Sequence, residues 1–330
     1  MTKAAKTVLL VALCMFAGGL ILTGTCIGIA RASGKSFSEI AREHYGESVT
    51  YQNTGVQTQT LDSIRSLELD LMAEPVTLKR GGDKIVIEWS QDYDQQYDFY
   101  VSSSGEVSLK REGANLILFS GDWVFNREAL WDFLDMISIG GFRTDSGGAN
   151  RPVTVTIPEG ISLDRLNIST ASGGVTLDGV AADDVSYNGA DTRLDIRDCQ
   201  IGSLDVNSAN AGSYIRDSGF ERIKISAANG RLELEGGECA RVEIDGANAE
   251  LNIDGTRGLR GIDLSGMNAA AKLALPGTKE DYDISADGLN ARIIIDGASY
   301  ASRSFIGRNA DKCEITADGL SAVIDVRFAS

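Results

Sequence analysis

A frame of nineteen residues recurs through the second half of this chain, and it restricts the fold more than any other feature. Leu166 and Ile168, then Ala171-Ser172-Gly173, then Val175 and Leu177 set the frame. It returns as Val185/Tyr187, Ala190-Asp191-Thr192 and Leu194/Ile196. Further copies carry Ala209-Asn210-Ala211 after Leu204/Val206, and Ala228-Asn229-Gly230, Ala247-Asn248-Ala249 and Met267-Asn268-Ala269, each of these three between apolar-x-apolar pairs. Two looser copies follow, Tyr282/Ile284 with Leu289-Asn290-Ala291 and Cys313/Ile315 with Leu320-Ser321-Ala322. Two short alternating strands joined by a small-residue corner fill one such circuit. A single circuit cannot bury its own apolar face, but a stack of them can.

The expected fold is therefore all-β, a β-solenoid (single-stranded β-helix) with coils of about 19 residues; eight coils at about 4.8 Å each would rise roughly 38 Å. Ser172, Asp191, Asn210, Asn229, Asn248, Asn268, Asn290 and Ser321 fall at one equivalent corner position. Asn tolerates the left-handed backbone, and its amide both donates and accepts. The column is expected to form a structural corner ladder, internal to the fold.

Upstream, residues 64–160 read as an irregular β-rich part of the same solenoid, with alternation in Leu67/Leu69/Leu71, Val76/Leu78, Ile85/Ile87/Trp89, Val107/Leu109 and Val153/Val155/Ile157. One helical insert, residues 123–142, interrupts it; Asn126 is its expected cap and Gly140-Gly141 its end. Trp123, Phe125, Trp131, Phe133 and Phe142 give this insert an aromatic load suited either to plugging the core or to docking a partner. Residues 161–330 are the regular repeats.

Residues 7–30 are an uncharged, mostly apolar run behind Lys3 and Lys6. As a helix it would span about 36 Å, longer than a signal-peptide apolar core, so residues 1–30 are expected to form a transmembrane signal-anchor. The competing expectation is a secreted product cleaved after Ala32. Residues 31–63 read as a juxtamembrane stalk, holding the lone His44. The short basic head before the apolar run favours a single-pass protein of the cell membrane with its C-terminal domain extracytoplasmic.

The chain has 31 basic and 47 acidic residues; beyond residue 30 the balance is 29 − 47 = −18. This excess disfavours nucleic acid as a partner. Of five cysteines, Cys14 and Cys26 lie in the apolar run. Cys199, Cys239 and Cys313 sit at apolar repeat positions and read as buried single thiols. No calcium nonapeptide, phosphate loop or nucleophile elbow occurs, and the acids are spread nearly once per coil. No catalytic, metal or cofactor site is expected, and the chain reads as non-enzymatic. The low-ranked alternative is a carbohydrate-active β-helix enzyme using paired carboxylates.

The apolar anchor, the strands Leu67–Leu71 and Ile85–Trp89, the step Val153–Pro158, and the unit Leu166–Leu177 around Ser172-Gly173-Gly174 together resemble the bacterial putative-adhesin family of membrane-anchored β-strand-repeat domains of unknown function. The resemblance covers roughly residues 64–330 and implies an envelope location and adhesion, with no catalytic residues. The leading expectation is thus an adhesin-like binding or interaction module, taking an envelope protein or glycan. Its alternative is an end-to-end assembling scaffold, self-associating through an open C-terminal coil at 322–328. Recognition is expected where the repeat breaks: the aromatic insert, and the excursion Gly297–Lys312 with Tyr300, Arg303, Phe305 and Arg308.

Overall fold

The computed structural model describes residues 55–91, 96–111, 152–300, 303–309 and 311–328. The apolar run 7–30 and the insert bearing Trp123, Phe125, Trp131, Phe133 and Phe142 lie outside the described residues, as does His44. Among the described residues, no helix is long and apolar enough to cross a membrane.

Among the described residues, nineteen strands join in one continuous sheet. The regular coils are single bent strands: β8 (Leu163–Asp178), β9 (Ala181–Arg197), β10 (Gln200–Arg216), β11 (Gly219–Glu235), β12 (Glu238–Asp254) and β13 (Gly261–Leu275). Neighbours pair in parallel with the register of the sequence repeat, Val185 against Leu204, Leu204 against Ile223, Ile223 against Val242 and Val242 against Ile262. Both halves of each coil alternate inward and outward. In β10, Leu204 and Val206 of the first half and Ala211, Ser213 and Ile215 of the second are buried in a common core. Stacking places each inward aliphatic on its copy above and below, and full burial of each contributes about 1.5–3 kcal/mol.

Two corners close each circuit. One is the Asn column. The other is a run of left-handed residues at Gly179, Asp198, Asp217, Gly236 and Gly255, with φ of 68°, 51°, 48°, 68° and 70°. Each donates its N–H to a carbonyl of the next rung, as Gly179 does to Arg197 at 2.9 Å and Asp217 to Glu235 at 3.0 Å. Where the residue is not glycine it is aspartate, whose short polar side chain tolerates this conformation. At the Asn corner close stacking demands glycine on particular rungs: a methyl group on Gly266 would overlap the carbonyl oxygen of Gly246.

Neither end is a simple continuation of the spiral. At the C-terminal end β14 (Tyr282–Asp287) and β15 (Arg292–Ile295) form the outermost rung, although they precede β18 (Cys313–Asp318) and β19 (Ser321–Phe328) in sequence. The later strands insert between that rung and β13: Ile324 stands between Ala271 and Ile293. The outermost rung is covered by short antiparallel strands, β17 (Ser304–Ile306) on β14 and β16 (Ala298–Tyr300) on β15. The strand at 322–328 is therefore not the open edge expected of it. The chain thus returns from the outermost rung, past the capping strands, to occupy an inner one.

The N-terminal end repeats this plan. β2 (Ser66–Leu71) and β3 (Val76–Arg80) form a rung against β8, and β6 (Glu106–Arg111) with β7 (Val153–Ile157) forms the rung beyond. Antiparallel strands again cover it, β5 (Tyr97–Val101) on β6 and β4 (Ile85–Gln91) on β7, with β1 (Gly55–Leu61) outside β4. The strand β1 corrects the stalk boundary of residue 63. Its side chains are exposed or half-buried throughout, so no buried face imposed an apolar alternation on its sequence. In sequence, residues 112–151 separate β6 from β7, whose partners β2 and β3 on the neighbouring rung are joined directly by the Asn-side corner at 72–75.

Candidate functional site

Each regular rung offers solvent two side chains on the outer face of its second half; on β10 these are Tyr214 and Arg216, flanking buried Ile215. The parallel register stacks Tyr214, Glu233, Asn252, Lys272 and Asp325 in one column. It stacks Arg216, Glu235, Asp254, Ala274 and Arg327 in the next. Together they line a trough of about 520 Å³. Five rungs span about 19 Å along the stack. Ala274 is short where its neighbours Asp254 and Arg327 are long, which leaves the floor open at that rung.

The two ends of the trough differ. Near Tyr214 the charges are satisfied locally: Arg216 pairs with Glu235 at 3.3 Å, Arg231 with Glu233 at 2.5 Å, and the Arg193 guanidinium lies 5.5 Å from the Tyr214 ring centroid. Toward β13 and β19, Asp254, Lys272, Asp325 and Arg327 enter no ion pair among the described residues. Two cations and two carboxylates thus face solvent with their hydrogen-bonding capacity available. None of them was singled out by the sequence reading for recognition. Their signal was variation within a column whose inward neighbours are aliphatic on every rung but that of Ser213.

The corner column forms a ladder of side-chain amides. Asn210 Nδ2 donates to Asp191 Oδ1 at 2.6 Å, Asn229 to Asn210 at 2.7 Å, Asn248 to Asn229 at 2.6 Å and Asn268 to Asn248 at 2.7 Å. Ser172 stands in register with Asp191, and Ser321 with Asn268. Asn290 joins the Ser321 side of the stack by its backbone N–H, 3.1 Å from the Leu320 oxygen. The amides run along the outside of the corner and are exposed, not internal as the sequence suggested. The backbone at the bend points these side chains outward, and the adjacent Ala or Gly fills the inner side.

Tyr300 and Phe305 sit on the two capping strands, their rings 5.6 Å apart edge to face, half-buried and packed on the core. They cover the outermost rung, opposite Ile293 and Ile284 respectively. Arg303 pairs with Asp287 at 3.3 Å, and Arg308 uses its N–H on the Glu280 oxygen. Within the break at 297–312, β16 and β17 cover the solenoid end, a structural assignment for residues expected to form a recognition surface.

One carboxylate is buried among the described residues, Glu74, in the corner between β2 and β3. Burial by itself pushes its carboxyl up, but the partners prevail and hold it below the usual carboxylate range. Tyr97 donates its hydroxyl at 2.6 Å, Arg111 lies 3.7 Å away, and the N–H groups of Met72 and Ala73 donate at 2.8 and 3.0 Å. These groups join the corner, the end strand β5 and the last residue of β6. The arrangement is a structural clamp: the carboxylate's oxygens are committed to donors and do not face the trough.

The three described cysteines are free and buried, and burial raises Cys199 to about 11 and Cys239 and Cys313 to about 12. They are not nucleophiles at neutral pH. No group of three or more His, Cys, Asp or Glu suited to a metal ion occurs among the described residues.

Comparison with known proteins adds the following. The family model described as Toastrack DUF4097 matches residues 64–287. Among solved structures, a putative adhesin from Bacteroides fragilis aligns at 11% identity and a TM-score of 0.41, covering 84% of this chain and 98% of that one. A putative cell adhesion protein from Clostridium sporogenes aligns at 10% identity and a TM-score of 0.21, covering 84% of this chain and 100% of that one. No curated protein matches.

Proposed function

The chain belongs to the Toastrack DUF4097 family, and on that premise we propose that it is a non-catalytic binding module of the cell envelope, adhesin-like in that it holds an extended polar ligand along its trough. The observation that carries this reading is the set Asp254, Lys272, Asp325 and Arg327, which line one trough and make no ion pair with each other or with other described residues. Exposed ion pairs contribute only about 0–1 kcal/mol, so unpaired charges here lose the fold little and keep donors and acceptors free. An extended envelope polypeptide or glycan can follow the trough rung by rung, meeting a similar spacing at each step. The apolar run 7–30 supports the rest of the proposal, a single-pass membrane anchor with the solenoid outside the cytoplasm.

The test uses full-length protein in its native membrane. Crosslinked partners captured by the wild type are compared with those of a Lys272→Ala/Arg327→Ala variant of unchanged melting temperature. Loss of specific partners supports the trough as the binding face; an identical capture set removes it. Protease added outside intact cells should cleave the solenoid domain, and full protection would overturn the extracytoplasmic placement. The scaffold alternative loses its basis, since the strand thought to offer an open edge is paired on both sides.

A further inference from the structure

The residue preceding the corner column is alanine in five successive rungs, Ala171, Ala190, Ala209, Ala228 and Ala247. In the last three rungs it is Met267, Leu320 and Leu289, in that spatial order. These three are 53%, 58% and 80% exposed. Leu320 and Leu289 belong to two identical Ala-Asp-Gly-Leu corners, 286–289 and 317–320, far apart in sequence and stacked in space. Nothing in the fold requires the larger side chain, because alanine makes the same corner five times. The result is a three-rung apolar ridge about 10 Å long.

A column of carboxylates runs beside the ridge. Asp245, Ser265, Asp318 and Asp287 are successive partners in register, and all three aspartates are exposed. Asp245 accepts from the Ser265 hydroxyl, and Asp287 accepts from the Gly288 N–H at 2.8 Å and pairs in solvent with Arg303, both through one oxygen. An apolar strip edged by carboxylates on one side is complementary to an apolar strip edged by cations. A bilayer fits less well, because burying the leucines would press Asp318 and Asp287 against the headgroups. A second copy fits less well because the chain carries a net charge of −16.

We propose that the Met267–Leu320–Leu289 ridge with its Asp245–Asp318–Asp287 border docks a polypeptide that presents an apolar face flanked by Lys or Arg. This ridge is separate from the trough and does not depend on the function proposed for it. The probe is a fluorescent fourteen-residue amphipathic peptide of Leu and Lys, titrated into full-length protein in phosphatidylcholine nanodiscs and read by anisotropy. A Leu/Glu peptide of the same pattern is the control. Saturable binding of the Leu/Lys peptide is expected, weakened at least tenfold by Met267→Ala/Leu289→Ala/Leu320→Ala, a variant that only restores the alanine of the other rungs. Asp287→Asn/Asp318→Asn should weaken binding and flatten its salt dependence. The proposal is overturned if the triple variant binds equally, if the Leu/Glu peptide binds as well, or if no saturable binding occurs. It is also overturned if the wild type, unlike the triple variant, self-associates or its ridge binds the lipid of added phosphatidylcholine vesicles.

Discussion

Asn229 illustrates how one side chain serves three rungs: its amide donates to Asn210 and accepts from Asn248. Because the ladder is solvent-exposed, water replaces much of what is lost on truncation. Asn229→Ala should therefore lower stability by only about 1 kcal/mol, a shift of a few degrees in a thermal melt. Glu74 lies at the other extreme. Glu74→Gln removes the charge beside Arg111 and turns one acceptor oxygen into an NH2 that faces a donor, either the Tyr97 hydroxyl or the Met72 and Ala73 N–H groups, so it should lower stability by about 2 kcal/mol at pH 7. The folded-state pKa of Glu74 is lowered, so its carboxylate stabilises the fold above the ordinary value of 4.5 and that contribution disappears as pH falls through the folded value. Denaturant melts between pH 6 and 3 should show a steeper acid loss for the wild type than for the Gln variant. Equal slopes would mean that the clamp does not titrate as described.

At the scale of the element, the unit is the rung with its two corners, and each corner solves a different steric problem. The left-handed corner needs residues that accept positive φ, and Gly236 is constrained twice, by φ 68° and by the Asp217 carboxylate 2.6 Å from where a methyl would stand. Gly236→Ala should cost about 1–2 kcal/mol, whereas Asp198→Gly should be neutral or stabilising by up to about 1 kcal/mol, both read as shifts in denaturation midpoint. The thiols report on the same packing. Cys199, Cys239 and Cys313 should resist an alkylating reagent at pH 8 until the protein is unfolded, when all three appear in modified peptides by mass spectrometry.

At the largest scale, the described residues form a stack whose ends are closed by interleaving. An inserted rung is held by neighbours on both sides, so its loss should be felt beyond itself. Deleting residues 321–330 should abolish amide-exchange protection not only in that strand but also in 268–275 and 292–295, which pair with it. Protection unchanged in 292–295 would contradict the inserted position. Ile324 is fully buried there, so Ile324→Ala should cost about 2–5 kcal/mol, and a charge at that site would unfold the end of the stack rather than test assembly. Antiparallel caps at both ends also cover edges that would otherwise template pairing with another chain.

The nineteen-residue repeat in the sequence was enough to determine the parallel register, the inward columns and the corner position of Ser172 through Ser321, because side-chain alternation and a fixed circuit length leave no other way to bury the apolar set. The second corner was legible in principle, as Gly or Asp at 179, 198, 217, 236 and 255, but aspartates on a solenoid look like solvated surface until their φ values are known. Three things belonged to the tertiary structure alone. Which rung the last strand occupies depends on loop closure between distant segments, which no local pattern encodes. That Tyr300 and Phe305 cover an end, while Met267, Leu289 and Leu320 stand in water, depends on what the outermost rung meets. And the trough exists only because residues from five rungs, each unremarkable in its own repeat, are brought side by side by the stack.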